Sequence, residues 1–277
     1  MAERRRPYLG HLGGDWSAAA DINDLAHVVG ESFDERGQLR GFFWQAGVMV
    51  DIGSLGGRET SAAAVNKRGQ VAGWGDLPDG RTHAILWDAG NLSDLGTLGG
   101  TDSFAFDLNT RGQVVGLSAT AAGAGHAFLW DRGRMSDLGT LGGRLSDARG
   151  INKHGQVVGS STTAGGEMHA FLWDNGTMLD LGTLGGANSY ASAVNDCGQV
   201  VGWSEVTTTP RIVHAFLWEH GTMFDLGTLG SGSWSFASDI NDYGEISGEH
   251  FDPANPADAS AVIWVPRRAE RKPCTAR

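Results

Sequence analysis

The sequence has little proline, little cysteine and no long hydrophobic run. Of its 277 residues only 7 are proline and 2 are cysteine, Cys197 and Cys274. Two cysteines imply no disulfide framework, and without a CxxC or Cys/His cluster we expect no metal and a reducing compartment. The N-terminus lacks the apolar segment of a signal peptide, and no run of about 18 apolar residues occurs. We therefore expect a cytoplasmic protein with no membrane partner.

Positive charge is scarce outside the two ends of the chain. The formal net charge is −11, with 21 basic and 32 acidic residues. Two basic tails, residues 1–6 and 266–277, hold eight of the basic and two of the acidic residues, so the body carries 13 minus 30, or −17. Such a body repels a phosphate backbone, and we expect no nucleic-acid partner.

Common catalytic and nucleotide-binding motifs are also absent. The sequence contains no GxSxG, GxxxxGK[ST] or HExxH. Its glycine-rich "LGTLGG" stretches are predicted to connect strands, which is not the strand-to-helix context of a phosphate loop. We therefore expect no cofactor.

Glycine is abundant, and a repeat explains it. The 43 glycines, without a collagen triplet, indicate many tight turns and hence many short strands. Three markers recur with a period of about 43 residues, which is typical of four-stranded propeller blades. They are Trp at 44, 87, 130, 173, 218 and 264; Asn at 23, 66, 109, 152, 195 and 241; and the starts of "LGTLGG"-type stretches at Leu9, Ile52, Leu95, Leu138, Leu181 and Leu226.

Each copy divides into four predicted strands. Residues such as Ser189 to Asn195 form the first, and Gln199 to Gly202 the second after an NxxG turn. "HAFLW" is the third, and "TMLDLG" is the fourth after a DxG-type turn, a strong hairpin signal. The prediction is an all-β, six-bladed β-propeller with four-stranded antiparallel blades, forming one domain over residues 7–265.

The repeat resembles the HAF-repeat family. The residues that carry the resemblance are "HAF" at His126, His169 and His214 and "HAI" at His83, and the pattern covers residues 9 to 264. The family is usually described as probable extracellular repeats. Because this sequence lacks a signal segment, we carry over the repeat and not the location.

The two ends of the repeat predict how the ring closes. After Trp264 the sixth copy has no "DLG" strand, whereas the chain begins with "PYLG" at residues 7–10. We expect this N-terminal segment to pair beside Ile263, complete the last blade and remove two sheet edges.

Residues found in every copy are interpreted as scaffold. The six Trp are expected to pack between blades, and the six Asn to bond nearby backbone in turns. The four aligned His are predicted to lie roughly 15 Å apart, given about 4.8 Å between strands, so no single ion reaches two of them. We expect them to make structural hydrogen bonds.

Function is expected where the copies differ, on the face opposite the tight turns. The residues five and three before each Asn are predicted to face the channel, and the constant Ala between them to pack closely. These pairs are Ala18 and Ala20, Ser61 and Ala63, Phe104 and Phe106, Asp147 and Arg149, Tyr190 and Ser192, and Phe236 and Ser238.

Two further variable columns are predicted to surround the mouth of the channel. The links before the first strand carry Asp15 and Trp16, Arg58 and Glu59, Thr101 and Asp102, Arg144 and Leu145, Ala187 and Asn188, and Ser233 and Trp234. The second strands end at Glu31, Trp74, Leu117, Ser160, Trp203 and Glu249.

These columns predict an aromatic cleft with a few charges, which is the usual form of a small-molecule site. The first hypothesis is a cofactor-independent enzyme for cyclisation, isomerisation or elimination of an apolar molecule. Asp147 would be the general acid or base and Arg149 the oxyanion partner, with Glu59 and Asp102 as second candidates. The substrate would contact Trp16, Arg58, Trp74, Phe104, Phe106, Arg144, Tyr190, Trp203, Trp234 and Phe236.

Two alternatives stay open: a non-catalytic module that binds a protein or glycan, and a glycan-cleaving enzyme, because aromatics and paired carboxylates also suit sugars. Filling of the channel by side chains and water, with no function, is a further interpretation of the same residues. The sequence does not indicate an oligomeric state.

Overall fold

A computed structural model of the chain describes residues 8–229, 234–252 and 255–266. The described residues form an all-β structure of six sheets, each built from strands that are consecutive in sequence and antiparallel. The predicted β-propeller fold, with one blade for each repeat, is confirmed.

The first three blades have four strands each. Blade 1 consists of β1 (Gly13–Ile22), β2 (Val28–Asp34), β3 (Leu39–Gln45) and β4 (Val48–Asp51); blade 2 of β5 (Thr60–Val65), β6 (Val71–Asp76), β7 (Thr82–Asp88) and β8 (Asn91–Asp94); and blade 3 of β9 (Gly99–Leu108), β10 (Val114–Thr120), β11 (Gly125–Asp131) and β12 (Arg134–Asp137).

The last three blades follow the same order. Blade 4 consists of β13 (Gly142–Ile151), β14 (Val157–Thr163), β15 (Met168–Asp174) and β16 (Thr177–Asp180); blade 5 of β17 (Ser189–Val194), β18 (Val200–Thr208), β19 (Arg211–Glu219) and β20 (Thr222–Asp225); and blade 6 of β21 (Trp234–Ile240), β22 (Ile246–Asp252) and β23 (Asn255–Trp264).

The repeated Asn closes the first turn of each blade and ties it to the next blade. In blade 2, Asn66 Oδ1 accepts the backbone N–H groups of Arg68 and Gln70 at 2.9 and 3.1 Å, which fixes the turn locally. Its Nδ2 donates to the backbone oxygen of Asn109 in blade 3 at 2.9 Å. The same inter-blade bond joins Asn23 to 66, 109 to 152, 152 to 195, and 195 to 241. The predicted backbone bonding is confirmed, and it extends across five blade boundaries.

Five of the six repeated Trp pack against the preceding blade, as predicted. Trp87 of blade 2 is 8% exposed and lies in a cluster with Val29 and Ile52 of blade 1. Its ring centroid is 5.1 Å from that of Phe43. Trp 130, 173, 218 and 264 occupy the corresponding clusters at the next four boundaries. Burial of such apolar area is the main stabilising term between blades.

The aligned histidines bond within their own blades, as expected. His169 Nδ1 lies 2.8 Å from Asp180 Oδ2, which joins the third strand to the fourth. Asp180 Oδ1 also accepts the backbone N–H of Gly182 at 2.8 Å. The same pairs are His83 with Asp94, His126 with Asp137, and His214 with Asp225. These repeated residues are therefore structural.

Every first strand contains a β-bulge at the same repeat position. In blade 4, Ala148 pairs with Gly159 and Gly150 pairs with Val158, so Arg149 is the extra residue. A Cβ at Gly159 would lie 1.9 Å from the carbonyl oxygen of Asp147, so only glycine fits opposite the bulge. Each of the other five blades has the same arrangement, with extra residues Ala20, Ala63, Phe106, Ser192 and Ser238.

The expected closure of the ring is not shown. Among the described residues the sixth sheet has three strands, and Tyr8 to Gly10 form none; Pro7 lies outside the described residues. Pairing of this segment beside Ile263 therefore stays a prediction.

Two observations concern the expectations drawn from composition. The two cysteines implied no disulfide framework, yet Cys197 is disulfide-bonded; two cysteines alone provide no spacing that is diagnostic of a disulfide. The chain's only other cysteine, Cys274, lies outside the described residues. The described part of the chain contains no helix long and apolar enough to cross a membrane.

Candidate functional site

The bulge positions project into a central channel. A cavity of about 290 Å³ on the axis is lined by all six of them, Ala20, Ala63, Phe106, Arg149, Ser192 and Ser238. A bulge bends its strand and redirects a side chain. The predicted channel column that lies three residues before each Asn is therefore the set of residues that the bulges turn inward.

The two faces of the disc differ, as the turn lengths predicted. The Asn turns surround one mouth of the channel, which we call the lower mouth. The links and the hairpins between second and third strands lie on the opposite face, which we call the upper face. Each predicted mouth residue of the second strand pairs there with one of the first strand, for example Ser160 with Asp147 and Trp203 with Tyr190.

A larger cavity of about 740 Å³ opens on the upper face across blades 3, 4 and 5. Its volume is in the range of ordinary small-molecule sites. We call it the upper cavity. It is lined by Phe106, Leu117, Gly125, Leu145, Ser146, Asp147, Arg149, Ser160, Met168, Tyr190, Ala191, Ser192 and Trp203.

Asp147 is the one carboxylate among these lining residues, and both of its oxygens are engaged. Oδ1 accepts a short hydrogen bond from the hydroxyl of Ser160, which is 5% exposed. Oδ2 lies 2.5 Å from Nε of Arg149. The Arg149 guanidinium carbon lies 4.6 Å from the ring centroid of Phe106. A fixed carboxylate and guanidinium thus share the floor of a largely apolar cavity.

Tyr190 and Trp203 form the aromatic wall of the upper cavity. Their ring centroids are 4.1 Å apart with planes 23° from parallel, an offset stack on neighbouring strands of blade 5. Burial raises the pKa of the Tyr190 hydroxyl, the Arg211 guanidinium opposes that effect, and the Glu205 and Asp147 carboxylates add to it. The phenol therefore stays neutral and can act as a donor.

An ion pair with a buried carboxylate and a half-exposed guanidinium lies behind this wall. Glu205 is 5% exposed, and its Oε1 lies 2.7 Å from Nε of Arg211. Oε2 accepts hydrogen bonds from Asn188 Nδ2 at 3.1 Å and Ala187 N at 3.3 Å. Burial acts to raise the pKa of Glu205, but the bonds from Arg211 and Asn188 outweigh it and hold the pKa below its ordinary value.

The other predicted charged residues lie outside the upper cavity. Asp102 Oδ1 accepts the backbone N–H of Thr82 at 2.9 Å, and Oδ2 accepts the hydroxyl of Thr101 at 2.6 Å, so its carboxylate joins blades 2 and 3. These bonds lower the pKa of Asp102. Arg58 and Glu59 are exposed on the link before β5, and Arg144 is exposed near the start of β13.

The remaining predicted aromatics form three groups outside the cavity. Trp16 lies 5.4 Å from Phe33 within blade 1, and Trp74 lies 6.1 Å from Phe104 across blades 2 and 3. On blade 6, Trp234, Phe236 and Phe251 contact one another, and Phe236 reaches Trp203 at 5.6 Å. Of the ten predicted ligand contacts, the cavity thus brings together Phe106, Tyr190 and Trp203.

Some residues of this region were not predicted. Gly125 and Met168 begin third strands, and the alignment of columns considered only first and second strands. Glu205 and Arg211 stand where the hairpin of blade 5 is extended, with nine residues in each of β18 and β19. The insertion that lengthens this repeat was the available signal for them.

Three carboxylates lie in the narrow channel below the upper cavity. Asp21, Asp107 and Asp239 line it beside Arg149. Burial raises the pKa of Asp107 to about 7, against hydrogen bonds from the backbone of Ile151 and Leu108. Among the described residues no group of His, Cys, Asp and Glu is placed to hold a metal ion.

Comparison with known proteins shows the fold alone. No family model and no curated protein matches the chain, so the HAF resemblance rests on the repeat residues. The acylaminoacyl peptidase of Pyrococcus horikoshii is similar over 94% of this chain and 45% of its own, with 10% identity and a TM-score of 0.57. A puromycin-hydrolysing peptidase of Mycobacterium tuberculosis is similar over 84% of this chain and 41% of its own, with 12% identity and a TM-score of 0.52.

TolB from Acinetobacter baumannii is also similar, over 87% of this chain and 65% of its own, with 12% identity and a TM-score of 0.49. The chain therefore spans less than half of each peptidase and about two thirds of TolB.

Proposed function

We propose that this chain is a cofactor-independent enzyme that binds an apolar small molecule in the upper cavity and moves a proton with Asp147. The reaction class is cyclisation, isomerisation or elimination, which orientation and proton transfer can accelerate. The observation that carries the proposal is the Asp147, Ser160 and Arg149 cluster in a cavity whose other walls are mainly apolar.

The chemistry assigned to each residue follows from its contacts. Asp147 is 17% exposed at its side chain, and it faces the cavity from a bulged strand that fixes its backbone. Arg149, held on Phe106, places positive charge where an oxyanion or enolate would form. Tyr190 and Trp203 supply flat apolar area that orients the ligand.

A second candidate, a non-catalytic binding module, is favoured by one observation. Both oxygens of Asp147 already have protein partners, so a base in this position must exchange one of those bonds for the substrate proton. The glycan-cleaving alternative has less support, because such enzymes generally use two carboxylates and Asp147 is the one carboxylate among the described residues of the cavity.

The test is incubation of the protein with an apolar small-molecule extract of its source cells, followed by mass spectrometry. An enzyme depletes one compound and forms a product of equal mass, or a lighter one after elimination, whereas a binding module retains its compound unchanged. We expect Asp147→Asn to abolish turnover, by roughly a hundredfold or more, while the ligand still binds, because an amide cannot take the proton. Arg149→Gln should lower turnover similarly.

His169→Ala is the matched scaffold control. It removes a repeated His–Asp bond outside the cavity and should cost roughly 1–2 kcal/mol of unfolding free energy with turnover per folded molecule unchanged. If the Asp147→Asn and Arg149→Gln variants are folded and turn over the compound at the wild-type rate, the catalytic proposal fails.

A further inference from the structure

Arg211 is held beside the upper cavity in an unusual way. It is the first residue of β19, on the extended hairpin of blade 5. Its guanidinium carbon lies 5.7 Å from the ring centroid of Trp203, which lines the cavity, and 5.2 Å from that of Trp234 on blade 6. Two indole rings and a buried carboxylate therefore fix the plane of this group.

The hydrogen bond of Arg211 to Glu205 uses Nε and leaves the N–H groups of Nη1 and Nη2 without a partner among the described residues. Only Nε contacts Glu205, and among the described residues no acceptor lies within hydrogen-bond distance of either Nη atom. Glu205 accepts its other bonds from Asn188 and Ala187, so it cannot also engage Nη through Oε2 in the usual bidentate manner.

Two other arginines in the chain use Nη, whereas Arg149, like Arg211, bonds through Nε alone among the described residues. Arg81 binds Asp79 through Nε at 2.8 Å and Nη2 at 2.7 Å. Arg40 places Nη2 at 2.6 Å from Gln38. The Nη groups of Arg211, whose side chain is 46% exposed, thus have no acceptor among the described residues and can bind one from outside the protein.

We propose that Arg211 anchors a carboxylate of the ligand, so that the ligand is an apolar acid whose hydrophobic body lies against Tyr190 and Trp203. This inference rests on the proposed function, since it assigns the ligand class of the same cavity. A guanidinium fork matches the geometry of a carboxylate. The body of the chain carries a charge of −17 and repels anions at long range, so an acidic ligand needs a fixed cationic group at the site.

The experiment compares two fluorescent probes that share an apolar body, 1-pyrenebutyric acid and 1-pyrenebutanol. Binding to the full chain is measured by fluorescence anisotropy at pH 7.5. We expect the acid to bind more tightly than the alcohol by roughly tenfold, the scale of one charge-assisted hydrogen bond. Arg211→Gln should remove this preference and leave the affinity for the alcohol within about twofold.

A second variant guards against misfolding, because Arg211→Gln leaves the buried Glu205 carboxylate unpaired. The double variant Glu205→Gln with Arg211→Gln removes both charges and should also lose the preference for the acid. Arg81→Gln is the matched control, since it removes an ion pair on the equivalent hairpin of blade 2 and should keep the preference.

The outcomes separate the two proposals. If folded Arg211→Gln and the double variant keep the preference for the acid, or if only Arg149→Gln loses it, Arg211 is not the anchor. If neither probe binds the wild type, or if Trp203→Ala leaves both affinities unchanged, the upper cavity is not an apolar binding site and the proposed function fails as well.

Discussion

Asp107 is an ionisable residue in an unfavourable position for its charged form. It lines the narrow channel, where burial raises its pKa to about 7, and Asp21 and Asp239 add negative charge while Arg149 lies on the same cavity. Oδ2 accepts the backbone N–H of Ile151 in the next blade at 2.9 Å, so the group also joins blades 3 and 4. Its charge state is therefore linked to folding.

We predict that Asp107 makes the protein less stable as pH rises from about 4 to 7. The carboxyl binds its proton more tightly in the folded protein than in the unfolded one. The free-energy cost of ionising it on folding is therefore absent below its ordinary pKa of 3.8. It grows by up to about 1.4 kcal/mol per pH unit and is complete above about 7. Urea unfolding at pH 4.5 and 8.0 should show a smaller pH effect in Asp107→Asn than in the wild type.

Asp102 provides a comparison for this prediction, because its pKa is shifted in the opposite direction. Its pKa is lowered, so its contribution is present above pH 3.8 and is lost as pH falls through the lowered value, the opposite direction. If the difference in unfolding free energy between wild type and Asp107→Asn is the same at pH 4.5 and pH 8.0, the pKa of Asp107 is not raised by folding.

At the residue scale, the sequence identified candidate site residues as those that differ from the equivalent residues of the other repeats. Asp147 and Arg149 stood out because the other blades carry uncharged Ala, Ser, Phe or Tyr in their columns, and both line the upper cavity. The hydrogen bond from Ser160 to Asp147 depends on strand register, and the Arg211 ion pair on a blade-specific insertion, so a repeat alignment could predict neither contact.

At the scale of the element, the bulged first strand is the device that builds the channel. The bulge brings the backbone of the first strand so close to that of the second strand that only glycine fits at the facing position. In blade 2, a Cβ at Gly73 would lie 2.0 Å from the carbonyl oxygen of Ser61, whereas a Cβ at Gly75 would meet only ordinary contacts at 3.7 Å.

We predict that Gly73→Ala destabilises the fold by at least about 2 kcal/mol, because it must break the bulge pairing or shift a strand. Gly75→Ala, on the same strand and at a residue without positive φ, should change the free energy of unfolding by less than about 1 kcal/mol. Chemical denaturation of both variants measures this difference. Equal destabilisation would mean that the bulge relaxes without cost.

The strands themselves were predictable because the same turn residues occur in all six repeats. Strand boundaries assigned in one repeat can therefore be checked against the equivalent positions of the others. The bulge was not predicted, because a two-residue spacing between the variable columns looks like regular alternation. The glycine opposite it was visible in every copy, but its necessity follows only from the backbone geometry.

For the whole molecule, the decisive feature is the boundary between blades 6 and 1. Asn bonds join the blades at the other five boundaries, whereas among the described residues the Nδ2 group of Asn241 donates only within its own turn, to Glu245 at 2.9 Å. Ile22 of blade 1 is 63% exposed, while the equivalent Ile151 of blade 4 is 6% exposed. Ile263 of blade 6 is 64% exposed, while the equivalent Leu172 of blade 4 is 7% exposed. Burying each isoleucine would contribute about 1.5–3 kcal/mol.

The segment after Tyr8 already follows the repeat. The carbonyl of Gly10 accepts the hydroxyl of Ser17 at 2.8 Å, as the carbonyl of Gly96 accepts that of Ser103 at 2.6 Å. Leu12 N donates to Ser32 Oγ at 2.9 Å, as the corresponding residues do in blades 3, 4 and 5. The period of the sequence predicts the missing strand just before these anchored residues.

We therefore predict that deletion of residues 1–10 lowers the melting temperature far more than deletion of residues 267–277. If the N-terminal segment forms the predicted strand that seals the ring beside Ile263, the first deletion removes that strand, whereas the second removes only a charged tail. Both are measured with reductant present, because the second also removes Cys274. Equal melting temperatures for the two truncated proteins would show that the N-terminal segment does not close the propeller.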